Sequence, residues 1–377
     1  MNKKIFIMAG EASGDLHGAM IVRSLKGLDN HINFYAVGGP ELRKESVFLL
    51  YRSAQFEAFG VVEPLFRLHF YRRALIDITT FIHKEGIETA ILIDSPGFNL
   101  LLARRLKQDG IRVIYYISPQ IWAWYYSRIK RIKKAIDAII VLYPFEEEIY
   151  RREGIKSFFV GNPLVDKVME GLEKGDSINV KVKKPCICIM PGSRISELRR
   201  HLSPMLQAVV KLKQRYNASF LIPLLSEEAE AFVKEEVRKL KNSEIEINLV
   251  IDNTYKAIEM ADLLIVSSGT ATLEAAIIGK PMVIVYKIGL ISEIIARILV
   301  KVDHISLVNI VAGKRLCPEL LQRDVNGERI YEEACKILDN RELYKNMIED
   351  LKGLKEKLGQ PGAIGRIAKL ILSLIGE

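Results

Sequence analysis

The strongest constraint on this chain is an alternation of short apolar runs with amphipathic segments, which comes in two successive series. Apolar runs at 4–9, 33–37, 89–94, 112–116, 138–141 and 157–160 make the first, with helical patterns such as 16–25, 100–107 and 145–152 between them. A second series opens at 186–190 and continues through 219–223, 245–250, 263–266 and 282–285. Strands separated by helices need crossover connections, so each series predicts a largely parallel sheet covered on both faces. The polar stretch 170–184, with Gly171, Gly175 and Asp176, lacks periodicity and reads as the connection between domains. The expected class is α/β, with two Rossmann-like lobes over 1–168 and 185–345 facing across a cleft. A helical segment at 346–377, interrupted at Gly359-Gln360-Pro361-Gly362, is expected to pack on the first lobe or on a partner subunit.

Two strand ends run into glycine turns. One is Gly10-Glu11-Ala12-Ser13-Gly14-Asp15 and the other Ser267-Ser268-Gly269-Thr270. Strand, tight turn and helix start present free N–H groups and the positive end of a helix to an anion. Ser13, Gly14, Ser268, Gly269 and Thr270 are therefore candidate contacts to nucleotide phosphates. The first turn departs from GxGxxG, because Glu11 and Asp15 put acid where a dinucleotide site wants none, which argues against an oxidoreductase. Glu274 shares a helical face with Thr270 and is placed to accept ribose hydroxyls; its plainer role is a carboxylate favoured by the helix dipole. Arg194, in Pro191-Gly192-Ser193-Arg194, offers a diphosphate a fork of donors, or else pairs with a nearby carboxylate.

Asp94 ends an apolar run and precedes Ser95-Pro96-Gly97-Phe98-Asn99. A carboxylate at the C-terminal end of a parallel strand sits where ligands bind in open α/β sheets, which suits a general base taking a proton from an acceptor hydroxyl. Its bland alternative is a cap for the next helix. Asn99 orients a sugar hydroxyl or caps that same helix, and His17 is an acid–base candidate or an internal hydrogen-bond partner.

At 377 residues the chain holds two cores, and 49% hydrophobic with 27% charged residues excludes a disordered chain. Fifty-five Lys and Arg against 46 Asp and Glu give a net charge of +9, which suits nucleic acid, a phosphorylated substrate or an anionic membrane without choosing among them. Cys186, Cys188, Cys317 and Cys335 show no metal-ligand spacing and read as free thiols of a reducing compartment. No metal is expected. The N-terminus enters a strand directly and no apolar run is long enough to span a bilayer, so a cytoplasmic protein is expected. Two segments mix large apolar groups with cations. Leu65-Phe66-Arg67-Leu68-His69-Phe70-Tyr71-Arg72-Arg73 suits a membrane face, and 121–134 joins Trp122 and Trp124 to a basic run that also suits RNA stacking. The stripe Ile291, Ile294, Ile295, Ile298, Leu299, Val302 reads as core or interface.

Several longer motifs are more specific: Met8-Ala9-Gly10-Glu11-Ala12-Ser13-Gly14-Asp15, Tyr116-Ile117-Ser118-Pro119-Gln120-Ile121-Trp122-Ala123-Trp124, Pro191-Gly192-Ser193-Arg194 and Ser268-Gly269-Thr270-Ala271-Thr272-Leu273-Glu274. Ser306-Leu307-Val308-Asn309 and Pro318-Glu319-Leu320-Leu321-Gln322 extend the set. With these the chain resembles the lipid-A-disaccharide synthase family over residues 4–368. The resemblance implies an inverting GT-B glycosyltransferase of Gram-negative lipid A and lipopolysaccharide synthesis. It would join UDP-2,3-diacylglucosamine to 2,3-diacylglucosamine 1-phosphate, releasing UDP and forming a β-1,6 bond. It further implies Asp94 as general base, Arg194 on the nucleotide, and Glu274, Asn309, Glu319 and Gln322 as site residues. The first lobe would take the acceptor lipid and the second the UDP-sugar, with no cofactor beyond that donor and no nucleic acid. Peripheral association with the cytoplasmic face of the inner membrane and a C-terminally swapped homodimer belong to the same expectation. Two positions depart from the family pattern: Gly97 stands where a second Asp is common, and Asn162 where His often precedes Pro163. Rival readings are a UDP-N-acetylglucosamine 2-epimerase or peptidoglycan transferase of like architecture, and a non-enzymatic membrane- or RNA-binding protein on a transferase scaffold. Intact Asp94, Arg194 and Glu274 argue against the last.

Overall fold

Every residue from Ile5 to Ala9 is fully buried, which a strand achieves only inside a sheet covered on both faces. In the computed structural model, which describes residues 3–56, 68–123, 126–176, 178, 180–224, 226–240, 245–289 and 303–376, this run is β1 (Lys4–Ala9). The first sheet also holds β2 (Asn33–Gly38), β3 (Phe48–Arg52), β4 (Thr89–Ile93), β5 (Arg112–Tyr116), β6 (Ala138–Ile140) and β7 (Ser157–Phe158). Its order is β3-β2-β1-β4-β5-β6-β7, with every pairing parallel. Because successive side chains point to opposite faces, Phe6, Met8, Leu92 and Tyr115 join one core and Ile5, Ile7, Ile91 and Ile114 the other.

The second sheet holds β8 (Cys186–Met190), β9 (Ser219–Leu224), β10 (Ile247–Ile251), β11 (Leu263–Ser267), β12 (Met282–Tyr286) and β13 (Glu319–Leu321). These are ordered β10-β9-β8-β11-β12-β13, again all parallel. Strand order reverses between β1 and β4 in one sheet and between β8 and β11 in the other. The chain leaving such a reversal point opens a crevice at the strand C-termini, which is where open α/β sheets bind ligands. Each glycine turn, Asp94 and Arg194 follows one of these four strands.

The edge strands β3 and β13 escape the alternation rule, since a strand with one neighbour needs no continuous apolar run; β3 is nowhere fully buried. Chain contacts divide the molecule into Met1–Pro163 with Gly362–Glu377, and Leu164–Pro361. The crossing at Pro163 falls at the first residue of helix Pro163–Lys174, not in the polar stretch 170–184. Helix Arg341–Leu358 belongs to the second unit, so the expected segment 346–377 is two pieces, and only the one after the Pro361-Gly362 break joins the first lobe. There helix Ala363–Gly376 lays Ile367, Ala368, Ile371 and Leu374 into the core beneath β1 and β4. Burying Ile367 and Ile371 alone contributes about 3–6 kcal/mol as an upper figure, on the order of a domain's net stability. Arg366 Nε donates to the Val160 carbonyl at 2.7 Å, and Arg112 donates to the Leu374 carbonyl.

Of the expected membrane segment, Leu65, Phe66 and Arg67 lie outside the described residues, as do Trp124 and the stripe 291–302. Helix Leu68–Glu85 carries the remainder. Leu68 is 67% exposed, but Phe70 and Tyr71 correct the expectation of a surface patch. Their rings pack on the buried Phe56 at 5.2 and 6.2 Å between centroids, and Tyr71 also meets Phe98. Among the described residues no helix is long and apolar enough to cross a membrane.

Candidate functional site

The end of β4 is strained. Asp94 and Ser95 have φ of 47° and 44°, and Ile117, after β5, has φ of 64°. Left-handed backbone disfavours residues other than glycine, and a β-branched one most. It persists here because the surroundings hold it. The Asp94 N–H donates to the Tyr116 carbonyl, while its own carbonyl accepts from Tyr115 Oη at 2.5 Å and Asn99 Nδ2 at 2.8 Å. Asn99 thus serves the turn with its amide, also donating to Ile93, rather than reaching for a sugar. Asp94, Ile117, Ser118, Gln120 and Arg128 line a cavity of about 180 Å³. Strain gathered around one small cavity is a mark of a functional site. Burial, and then the negative charge of Glu11, push the Asp94 carboxyl up to about 6.

Glu11 corrects the reading of the first glycine turn as an anion cradle. Its Oε1 accepts the Ser95 hydroxyl at 2.9 Å, which holds a second negative charge beside Asp94. The next acid, Asp15, is only 2% exposed and receives the N–H groups of Gly39, Glu41 and Leu42, so it caps helix Pro40–Lys44. Gly14 is buried against Ala9 and Ile93, out of reach of a phosphate, whereas Ser13 is exposed on the first turn of helix Ala12–Leu28. His17 bonds internally through Nδ1 to Tyr116 Oη at 3.1 Å. Where Gly97 leaves its turn without a second acid, Glu11 supplies one from a different loop.

The second lobe gathers five of the expected residues. Arg194, Ser268, Gly269, Thr270 and Glu274 line one cavity of about 360 Å³, with Pro223 and Leu224 as an apolar wall. Gly192 has φ of +117°, and a Cβ there would meet Glu197 Oε2 at 2.5 Å. Glu197 instead accepts the Ser193 N–H at 3.0 Å, closing the turn that starts helix Ile195–Tyr216. Its Oε1 also pairs with Arg194 at 3.6 Å, the carboxylate partner expected as the alternative, although the Arg194 side chain stays 81% exposed. Behind this turn, buried His201 donates through Nδ1 to the Pro191 carbonyl at 3.0 Å and accepts the Lys287 N–H on Nε2 at 3.1 Å. Those partners require the neutral ring, and burial lowers its proton affinity accordingly.

Space above Gly269 is open, and helix Thr270–Ile278 begins there. The Thr272 N–H is spent on the Gly269 carbonyl at 3.1 Å, so the anion donors are the N–H groups of Thr270 and Ala271, which line the cavity. Ser268 differs: its N–H is spent on the Val285 carbonyl at 2.9 Å, which leaves its hydroxyl. Glu274 Oε1 accepts from Tyr255 Oη at 3.0 Å and Lys167 Nζ at 3.3 Å, so the carboxylate is aimed with Oε2 left over for a ligand. Tyr255 and Lys167 carry no local sequence signal, because their partner lies in another element. Gly171 has one in retrospect: a Cβ there would fall 2.2 Å from the Tyr255 ring, so the glycine in helix Pro163–Lys174 makes room for the residue that aims Glu274.

Asn309, Glu319 and Gln322 act differently from the nucleotide contacts expected of them. Asn309 is fully buried. Its Nδ2 donates to Cys317 O and Glu319 Oε1, and its Oδ1 accepts the N–H groups of Leu316 and Cys317. Glu319 also receives Ser306 Oγ and the N–H groups of Ile305 and Ser306. Gln322 Oε1 accepts the Ile288 N–H at 2.7 Å. A buried amide with every group engaged cannot also bind a ligand, so Asn309 positions the chain before β13, while Glu319 and Gln322, both half-buried, brace the chain after β12.

A family model described as lipid-A-disaccharide synthetase matches residues 5–363. The lipid-A-disaccharide synthase of Syntrophus aciditrophicus is 39% identical over 380 residues, spanning 100% of this chain and 99% of that one. That of Geobacter sulfurreducens is 36% identical over 378 residues, covering 99% and 98%. Among solved structures, UDP-GlcNAc 2-epimerase from Neisseria meningitidis bound to UDP-GlcNAc superposes with a TM-score of 0.63 at 14% identity, over 98% of this chain and 100% of that one. MurG of Acinetobacter baumannii gives 0.59 at 17%, over 98% and 99%. At such identities these two establish the paired-lobe GT-B fold alone. Family match and full-length relatives decide the chemistry: the chain belongs to the lipid-A-disaccharide synthase family, and it is a GT-B glycosyltransferase that catalyses the transfer step of lipid A biosynthesis.

Proposed function

We propose that the donor is UDP-2,3-diacylglucosamine, the acceptor 2,3-diacylglucosamine 1-phosphate, and Asp94 the general base. A carboxyl held up to about 6 is ionised at neutral pH yet more basic than an ordinary Asp, the compromise general-base catalysis favours. The acceptor 6-hydroxyl oxygen forms the new bond to the anomeric carbon as its proton passes to Asp94. The bond from that carbon to the phosphate oxygen breaks opposite, and UDP leaves with the electron pair. Arg194 and the start of helix Thr270–Ile278 meet the charge growing on the diphosphate, while Glu274 Oε2 takes ribose hydroxyls. The observation that carries this reading is the convergence of Arg194, Thr270 and Glu274, from two separate strand ends, on one cavity. Peripheral association with the cytoplasmic face of a membrane follows from two lipid substrates. The test is conversion of both diacylated sugars to a disaccharide phosphate and UDP by purified protein in detergent, with and without EDTA. Epimerised UDP-sugar without coupled product would refute it.

A further inference from the structure

Beside the Asp94 cavity lies a second one, of about 630 Å³, lined by Arg104, Arg128, Arg131 and Lys134 together with Leu100 and Leu101. Arg128 and Pro96 line both cavities, so the cationic groove begins one side chain from the base. The sequence builds it simply. Arg128, Arg131 and Lys134 recur every third residue through the turn Tyr126–Arg128 and helix Ile129–Ala135, which puts them on one face. The offset set Ile129, Ile132 and Ala135 is buried. Arg104 comes from helix Pro96–Gln108, and Leu101 on that helix is 58% exposed.

Like charges three residues apart repel. A helix C-terminus favours Lys134, but that dipole explains neither Arg128 nor Arg104. Among the described residues, Arg104, Arg131 and Lys134 have no carboxylate within salt-bridge distance, and no acid lines the groove. Gly97, which also lines it, adds no side chain from the Asp94 turn. Arg104, Arg131 and Lys134, three cations without a carboxylate partner in a cavity sized for a small molecule, call for a compact, multiply charged anion.

We infer that this groove binds the phosphate monoester of the acceptor sugar and thereby sets the acceptor's orientation, an inference that rests on the function proposed above. The attacking hydroxyl and the phosphate lie at opposite ends of one sugar ring, so a phosphate site belongs about a sugar's width from the base. The groove adjoins the Asp94 cavity through Pro96 and Arg128, within a single lobe. Leu100 and Leu101 give the adjoining acyl chain an apolar wall. Selection of a phosphorylated acceptor over its neutral counterpart is the expected consequence.

The test compares wild type with R131Q/K134Q in nonionic detergent, using the phosphorylated acceptor and its dephosphorylated analogue. Both substituted side chains are exposed, and a melting curve verifies folding. The KM for the phosphorylated acceptor should rise about tenfold or more. Saturated turnover, the donor KM and the KM for the neutral analogue should hold, and the charge-keeping pair R131K/K134R should retain the preference. An equal rise for both acceptors, or none, overturns the inference. So does a variant that keeps its acceptor preference but no longer floats with anionic vesicles, which would assign the groove to the bilayer surface. Failure of wild type to make disaccharide would instead sink the function beneath it. In that event calorimetry with glucosamine 1-phosphate still decides the groove, since binding lost in R131Q/K134Q supports it and no binding by wild type overturns it.

Discussion

Replacing Glu11 with Gln should make the enzyme faster in acid and slower at neutral pH. Glu11 Oε1 accepts the Ser95 hydroxyl, and a glutamine oxygen accepts it equally, so the change removes a charge while keeping the bond. Asp94 is raised from 3.8 to about 6, by burial first and by Glu11 second. Glu11 is the second cause of that rise after burial, so removing its charge should move the acid limb of the rate profile down. At pH 5 a base titrating at about 6 is only roughly one-tenth ionised, so the variant gains reactive enzyme there. Above the limb both enzymes are ionised, and the variant's weaker base should give a lower plateau. The two profiles therefore cross.

The assay is UDP release across about pH 5 to 9 under kcat/KM conditions, which report the free enzyme. Glu11 is exposed, so salt should act in the same direction as the substitution, and raising ionic strength should move the wild-type limb down while leaving the variant nearly still. A limb that stays put in Glu11→Gln, or moves up, would refute the reasoning and assign the ionisation to another group.

Other substitutions separate the roles. Asp94→Asn should cut turnover about 10²-fold or more yet raise thermal stability. A raised folded-state carboxyl makes ionisation unfavourable, so stability is fullest below about pH 3.8 and falls until about 6; at neutral pH the amide recovers about 1–3 kcal/mol, and a lower melting temperature would contradict this. Arg194→Ala, at an 81% exposed side chain, should leave melting unchanged and weaken UDP binding about tenfold or more by calorimetry. Tyr255→Phe frees Glu274 of one donor and should weaken UDP by roughly threefold to tenfold, with turnover at saturating donor retained. Asn309→Ala orphans buried N–H groups of Leu316 and Cys317 and should cost about 2–3 kcal/mol of stability, seen in denaturant unfolding.

Strand ends were the most legible part of this molecule because they obey local rules. An apolar run followed by glycine, serine or aspartate announces a strand C-terminus, and the reversals in strand order turn four such ends into two crevices. Asp94, Arg194 and Thr270 were therefore visible from their neighbours alone. Hidden were the residues whose partners are distant in sequence. Glu11 reads as a misfit in a phosphate turn until Ser95, 84 positions on, shows that its charge belongs with Asp94. Lys167 and Tyr255 gain meaning only from Glu274, and Asn309 looks like a ligand contact until its hydrogen bonds are counted.

The basic run 128–134 shows the same limit from the other side. Its charge was plain, but charge alone suits RNA, a bilayer or a phosphorylated sugar equally well. Only the packing of Ile129 and Ile132 beneath it, and the arrival of Arg104 from another helix, turn a basic stretch into a groove that opens beside the base. A sugar phosphate that enters finds four cations around one cavity, one of them from the other helix. What discriminates among the anions is thus the lining of the site by two helices and its adjacency to the Asp94 cavity, both properties of the fold rather than of the run itself.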